Sequence, residues 1–166
     1  MKTIYLAGGC FWGTQAFFKQ LKGVVKTRVG YANGNKENPR YEELKHGEAT
    51  HAETVEILYD ENIISLDKIL DYYMMIIDPY SHNKQGEDEG IQYRTGIYYE
   101  KEEDREYLSA YLKREEEKMN KGPFAIELER LKGFYPAEEY HQDYLDKNPH
   151  GYCHVNLSLA HKGDKK

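Results

Sequence analysis

From Lys2 to Ala7 the chain alternates polar and apolar residues, the pattern of a strand with one buried face. Past Gly8-Gly9, the residues Phe17, Phe18 and Leu21 recur at helical spacing, which predicts a helix starting at or near Cys10 and closed by Gly23. Val25, Thr27, Val29 and Tyr31 share one face of a second strand, and Ala32-Asn33-Gly34-Asn35 has the composition of a turn. A short helix entered through Pro39 covers residues 38–44 and ends at Gly47. Val55, Ile57 and Tyr59 mark a third strand. Ser65 then caps an amphipathic helix whose inner stripe is Leu66, Ile69, Leu70, Tyr73, Met74 and Ile77, and Asp78-Pro79 stops it.

Residues 80–91 are polar, aperiodic and glycine-containing, a loop of the kind that carries function. Tyr93, Thr95, Ile97 and Tyr99 predict a fourth strand. A highly charged helix over residues 101–120 buries one edge through Leu108, Tyr111 and Leu112. Ile126 and Leu128 suggest a short fifth strand, and Pro136 opens a last helix with Tyr140 and Tyr144 inward. From Asn148 the chain reads as coil ending in a solvated lysine tail. Short strands separated by helices predict an α+β fold. The expected form is a two-layer α/β sandwich: a small mixed sheet with flanking helices and a ferredoxin-like core, in place of a doubly wound sheet. A single domain covers residues 1–166, with 147–166 as C-terminal coil.

Composition narrows the function. At 166 residues the chain can bury a substantial core. A net charge of −6 with no basic stripe argues against nucleic acid. The longest apolar run, Tyr72-Tyr73-Met74-Met75-Ile76-Ile77, is too short to span a bilayer, and no leader pattern precedes the first strand. The expectation is a cytoplasmic enzyme or binding domain without membrane attachment. Two cysteines are too few for a disulfide scaffold and read as catalytic or unpaired. Sixteen tyrosines are enough for some to line a polar pocket.

The chemistry centres on Gly8-Gly9-Cys10-Phe11-Trp12-Gly13. Glycines at a strand-to-helix junction permit close backbone approach, and free N–H groups of the first turn favour a thiolate there. Phe11 and Trp12 lie too near the turn for both to enter the core, so they would wall the sulfur. A buried, inert cysteine beside ordinary core aromatics explains the stretch equally well. Cys153 in the C-terminal coil is placed where a second thiol could travel to the first; two unrelated cysteines remain the alternative. Glu53, in His51-Ala52-Glu53, is either a proton donor or a surface carboxylate. The acids Glu87, Asp88 and Glu89 lack calcium-loop spacing. His141, His150, His154 and His161 lack zinc pairs, with His141 expected on a helix flank and His161 in the frayed tail.

Together these pieces resemble the peptide-methionine (S)-S-oxide reductases, the A-type methionine sulfoxide reductases. The resemblance rests on Gly9-Cys10-Phe11-Trp12-Gly13, Gly30-Tyr31, Tyr41, His51-Ala52-Glu53 and Gly90-Ile91-Gln92-Tyr93-Arg94. It continues through residues 134–145, Phe-Tyr-Pro-Ala-Glu-Glu-Tyr-His-Gln-Asp-Tyr-Leu, and Asn148-Pro149-His150-Gly151-Tyr152-Cys153. What it implies is specific. Cys10 attacks the sulfoxide sulfur while Phe11 and Trp12 hold the S-methyl group. Glu53 protonates the oxygen, Tyr41 and Tyr93 hydrogen-bond it, and Asp88 helps through a water. Cys153 resolves the sulfenic acid as a disulfide, which thioredoxin reduces. The implied substrate is methionine sulfoxide, free or in peptides and proteins, with no metal or other cofactor and a monomeric enzyme.

Two departures stand out. Family members commonly carry Glu where this chain has Gln15, and many have two C-terminal recycling cysteines where only Cys153 is present. With the acid role on Glu53 the reaction survives the first. The second makes the Cys10–Cys153 disulfide the species presented to thioredoxin. Electrostatics constrains the site further. Bringing a thiol from about 8.5 to about 7 takes roughly 2 kcal/mol, more than the ~0.3–1 of a helix terminus. A charged Glu53 would oppose it, so a buried, neutral Glu53 near Cys10 is predicted. A peroxide-consuming thiol enzyme and a zinc-holding or peptide-binding module are the rival classes; the first suits the aromatic wall poorly.

Overall fold

Six strands join one sheet in the order β7-β6-β1-β3-β2-β8. The computed structural model describes all 166 residues. In chain order they form β1 (Lys2–Ala7), α1 (Phe11–Lys19), β2 (Val24–Ala32), α2 (Tyr41–Lys45), β3 (Ala52–Tyr59) and α3 (Leu66–Ile76). A two-stranded ribbon follows, β4 (Lys84–Gln85) and β5 (Asp88–Glu89), then β6 (Gly96–Tyr99), α4 (Glu103–Met119), β7 (Glu127–Arg130), β8 (Phe134–Pro136) and α5 (Tyr144–Lys147). Neighbours in the large sheet are antiparallel except β6 and β7, which α4 joins as a parallel pair.

The two-residue period sorts the strand side chains by face. Ile4, Leu6, Val29, Tyr31, Val55, Ile57, Ile97 and Tyr99 pack with α1 and α3 in the main core. Tyr5, Ala7, Ala32, Ala52 and Tyr98 form a thin cluster with Leu131 and Phe134 on the other face. Ser65 caps α3 by accepting the Lys68 N–H at 3.1 Å. The buried Tyr73 hydroxyl donates to the Ala7 carbonyl at 2.6 Å, locking α3 under the end of β1 where the site begins.

Four expectations need correction. Val25 does not face inward: a bulge between Val24 and Lys26 turns it to solvent. Tyr93 lies in a 3-10 turn, Ile91–Tyr93, so the fourth strand starts only at Gly96. Pro136 opens no helix. It ends β8 on the sheet edge, where its missing N–H costs nothing, and the 3-10 turn Glu139–His141 leaves Tyr140 exposed. The tail is docked. Leu21 bridges to Lys165, the Tyr72 hydroxyl accepts the His161 N–H at 3.0 Å, and Ala160 is buried.

Candidate active site

The turn between β1 and α1 places the thiol. Gly9 takes φ +72°, and its N–H donates to the Tyr93 carbonyl at 3.1 Å. A Cβ on Gly9 would lie 2.5 Å from His154 Nε2, so only glycine fits between the turn and the C-terminal segment. Cys10 is the N-cap of α1 and is 7% exposed, while Phe11 beside it is 1% exposed. One of the two aromatics has therefore entered the core; Trp12 stays half-buried.

Glu53, on β3, is 2% exposed. The Phe11 N–H donates to its Oε1 at 3.2 Å, and the Gln92 amide donates to its Oε2 at 2.7 Å. Burial pushes its carboxyl up to about 8, against the two hydrogen bonds, which favour the anion. The prediction of a buried acid beside the thiol is met. Burial also pushes the Cys10 thiol up, Glu53 adds to this, and the Trp12 N–H opposes it. Burial is the larger effect here, and it favours the protonated thiol, against the sequence expectation of a thiolate at the helix start.

Gln92 carried no role in the sequence reading; its position follows from Arg94. That guanidinium donates to the carbonyls of Thr50 at 2.9 Å, Ile91 at 2.9 Å and Asn33 at 3.1 Å, and pairs with Glu127. The clamp holds the 91–93 turn against β3. Tyr41 opens α2, and its N–H donates to Glu138 Oε2 at 3.1 Å, while Tyr31 donates to Oε1 of the same carboxylate at 2.8 Å. Burial, then Glu53, pushes the Tyr41 hydroxyl up to about 12, and Tyr93 is raised by the same causes. Asp88 accepts the Tyr152 hydroxyl at 3.1 Å and acts on Glu53 and Cys10 through its charge.

His141 is the residue the sequence reading misplaced. It is fully buried, and its Nδ1 accepts the Trp12 indole N–H at 3.0 Å, which leaves the proton on Nε2. Its ring lies 4.6 Å from Tyr41 and 5.3 Å from Phe11. Tyr144 stacks on the face of the indole at 3.7 Å. Cys153 is half-buried, and a Cβ on Gly13 would sit 3.0 Å from its Sγ, so the second thiol rests against the bare backbone of the first turn of α1. Both cysteines are free. The histidines, acids and cysteines do not gather into a metal-holding set of three.

The site thus unites Cys10, Phe11, Trp12, Tyr41, Glu53, Asp88, Tyr93 and Cys153 from separate parts of the chain. Among known proteins, the peptide methionine sulfoxide reductase MsrA of Lachnoclostridium phytofermentans is 57% identical over 93% of this chain and 92% of its own. Reduced Mxr1 of Saccharomyces cerevisiae superposes with a TM-score of 0.86 at 38% identity, covering 94% of this chain and 91% of that one. Mxr1 in complex with Trx2 matches at TM-score 0.61 and 30% identity, over 86% and 84%. A family model described as peptide methionine sulfoxide reductase spans residues 2–166, and on that match the chain belongs to this family.

Proposed function

We propose that this chain reduces methionine sulfoxide through Cys10, with Glu53 as the acid and Cys153 as the resolving thiol. The observation that carries the reading is the buried Glu53 carboxyl, hydrogen-bonded to the N–H of the residue after Cys10. Held neutral up to about pH 8, it can protonate the sulfoxide oxygen and make the sulfur electrophilic. The Cys10 sulfur then attacks, and its proton passes to the carboxylate that Glu53 has become. Phe11 N–H and Gln92 stabilise that anion. Oxygen transfers to Cys10, leaving a sulfenic acid and methionine. Attack by Cys153 releases water and forms the Cys10–Cys153 disulfide, which takes two electrons from a dithiol. Thioredoxin fits that role, given a relative solved with Trx2.

Trp12 with Phe11 walls the methyl side, Tyr41 and Tyr93 face the oxygen, and Asp88 acts through its charge or a bound water. Half-buried Trp12, Tyr41 and Cys153 open the recess to solvent, which suits a methionine sulfoxide carried on a polypeptide. Strands β6-β1-β3-β2, linked through α1 and α3, support a ferredoxin-like core extended at both edges, within one domain. Edge strands of four and three residues suit a monomer. Two free thiols and no helix long and apolar enough to cross a membrane support a cytoplasmic location.

The test is a thiol count after one dose of methionine S-sulfoxide without reductant. Two thiols should be lost from the intact chain, and Cys153→Ser should accumulate a trappable sulfenic acid. No loss of thiols would defeat the reading.

A further inference from the structure

Gln15 lies within α1 and is 1% exposed. Its carboxamide has one possible orientation. The Asp143 N–H donates to Oε1 at 2.9 Å and can do nothing else, so Nε2 faces β2 and donates to Thr27 Oγ1 at 3.1 Å. Asp143 is left-handed, φ 53° and ψ 37°, a conformation that aspartate tolerates better than most residues and that a hydrogen bond to its N–H helps to hold. It joins the turn carrying His141 to α5. On one side of it His141 accepts the indole N–H of Trp12; on the other, the Tyr144 ring lies on the indole with only 10° between planes. Gln15 therefore holds the bend whose two flanks grip Trp12.

We propose that Gln15 is the positioning residue for Trp12: its amide fixes the left-handed Asp143 bend and so sets the orientation of the indole against the substrate. The inference rests on the substrate-facing role given above to Trp12. Gln15 touches no reacting atom, so its loss weakens substrate binding and leaves the thiol chemistry intact. Methionine at this position fills similar space but leaves the Asp143 N–H buried and unpaired, which frees the bend to relax.

Gln15→Met should raise KM for a blocked methionine sulfoxide roughly tenfold, as expected for one lost buried hydrogen bond, with kcat within about twofold. Trp12 is the only tryptophan, so its emission reads the indole directly and should shift to longer wavelength. Gln15→Glu, which keeps an acceptor for Asp143 and can take the Thr27 hydroxyl, should restore both values. Tyr144→Leu should reproduce the KM and emission changes, and the double variant should be no worse than Tyr144→Leu alone. If Gln15→Met does not fold, Gln15→Asn, too short to span both partners, serves in its place with the same expectation. Unchanged emission, or additive losses in the double variant, would overturn the proposal. Shifted emission with unmoved KM would overturn the link to substrate. The thiol count judges the role of Cys10 separately.

Discussion

The backbone N–H of Phe11 donates to Oε1 of Glu53 across 3.2 Å, so the residue after the proposed nucleophile also holds the proposed acid. One strand and one helix start are thereby joined beside Cys10. Any shift of α1 relative to β3 stretches this bond and alters the spacing of thiol and carboxyl. The bond favours the anion while burial favours the neutral acid, and burial prevails at rest. A carboxyl so balanced can release its proton during the reaction and be steadied afterwards.

Glu53→Gln removes the proton while keeping shape and an acceptor for Phe11. Loss of a general acid costs about 10²- to 10⁴-fold in rate, and turnover of a blocked methionine sulfoxide should fall within that range. Stability should not fall, because a neutral amide replaces a carboxyl that is costly to ionise in place. Near-normal kcat in this variant would remove Glu53 from the mechanism.

The pH dependence follows from the same group. In the folded state Glu53 titrates at about 8, against an ordinary 4.5, so between these values the native chain binds more protons than the unfolded chain. Its contribution to stability is full below about pH 4.5, declines as pH rises toward 8, and is flat above. The total for complete ionisation is on the order of 5 kcal/mol. Urea midpoints across this window should show the decline in the wild type and lack it in Glu53→Gln. The kcat/KM of the wild type should fall as pH rises through about 8, since the acid form is then lost.

Gly13 bears on the proposed second half-reaction. A Cβ there would meet Cys153 Sγ at 3.0 Å and Val155 at 3.2 Å, tight enough that the Cys153 segment must give by a few tenths of an ångström. Gly13→Ala should leave the first turnover intact and slow disulfide formation by about tenfold or more, a barrier rise of about 1.4 kcal/mol. Rapid-quench thiol counting checks this: one thiol lost early and the second late, where the intact chain loses both together. Cys153→Ser should reduce one equivalent of substrate and then fail to turn over with thioredoxin.

Much of this architecture was legible because its signals are local. The alternation in β1 and β3, the Ser65 cap and the glycines around Cys10 each act within a few residues, and each appears as read. What escaped depends on partners distant in sequence. Phe134–Pro136 is too short to show a period, and only Gly30–Ala32 alongside makes it a strand. His141 looks like a helix flank until Trp12, 129 residues away in sequence, donates to it. Gln92 needs the Arg94 clamp before its amide reaches Glu53. The grouping of the proposed site residues was expected only because resemblance supplied the long-range pairing that periodicity lacks.

The docked tail yields the last prediction. The Tyr72 hydroxyl accepts the His161 N–H at 3.0 Å and donates to Asp164 Oδ2 at 2.5 Å, and Lys68 reaches the other oxygen at 3.0 Å. Tyr72 and Lys68 hold the Asp164 carboxyl below its usual range. Its support is therefore present above the ordinary aspartate range and lost as pH falls through the lowered value. Cys153 lies on the span between this anchor and the Lys19–Asp143 pair at 2.7 Å, so two fixed ends confine where its sulfur can roam. Releasing one end lowers the local concentration of Cys153 at Cys10. Tyr72→Phe should cost about 1 kcal/mol, raise amide exchange over residues 157–166, and slow disulfide formation several-fold while sparing the first turnover. If exchange rises and the disulfide still forms at the wild-type rate, the tail anchors the fold but does not guide the resolving thiol.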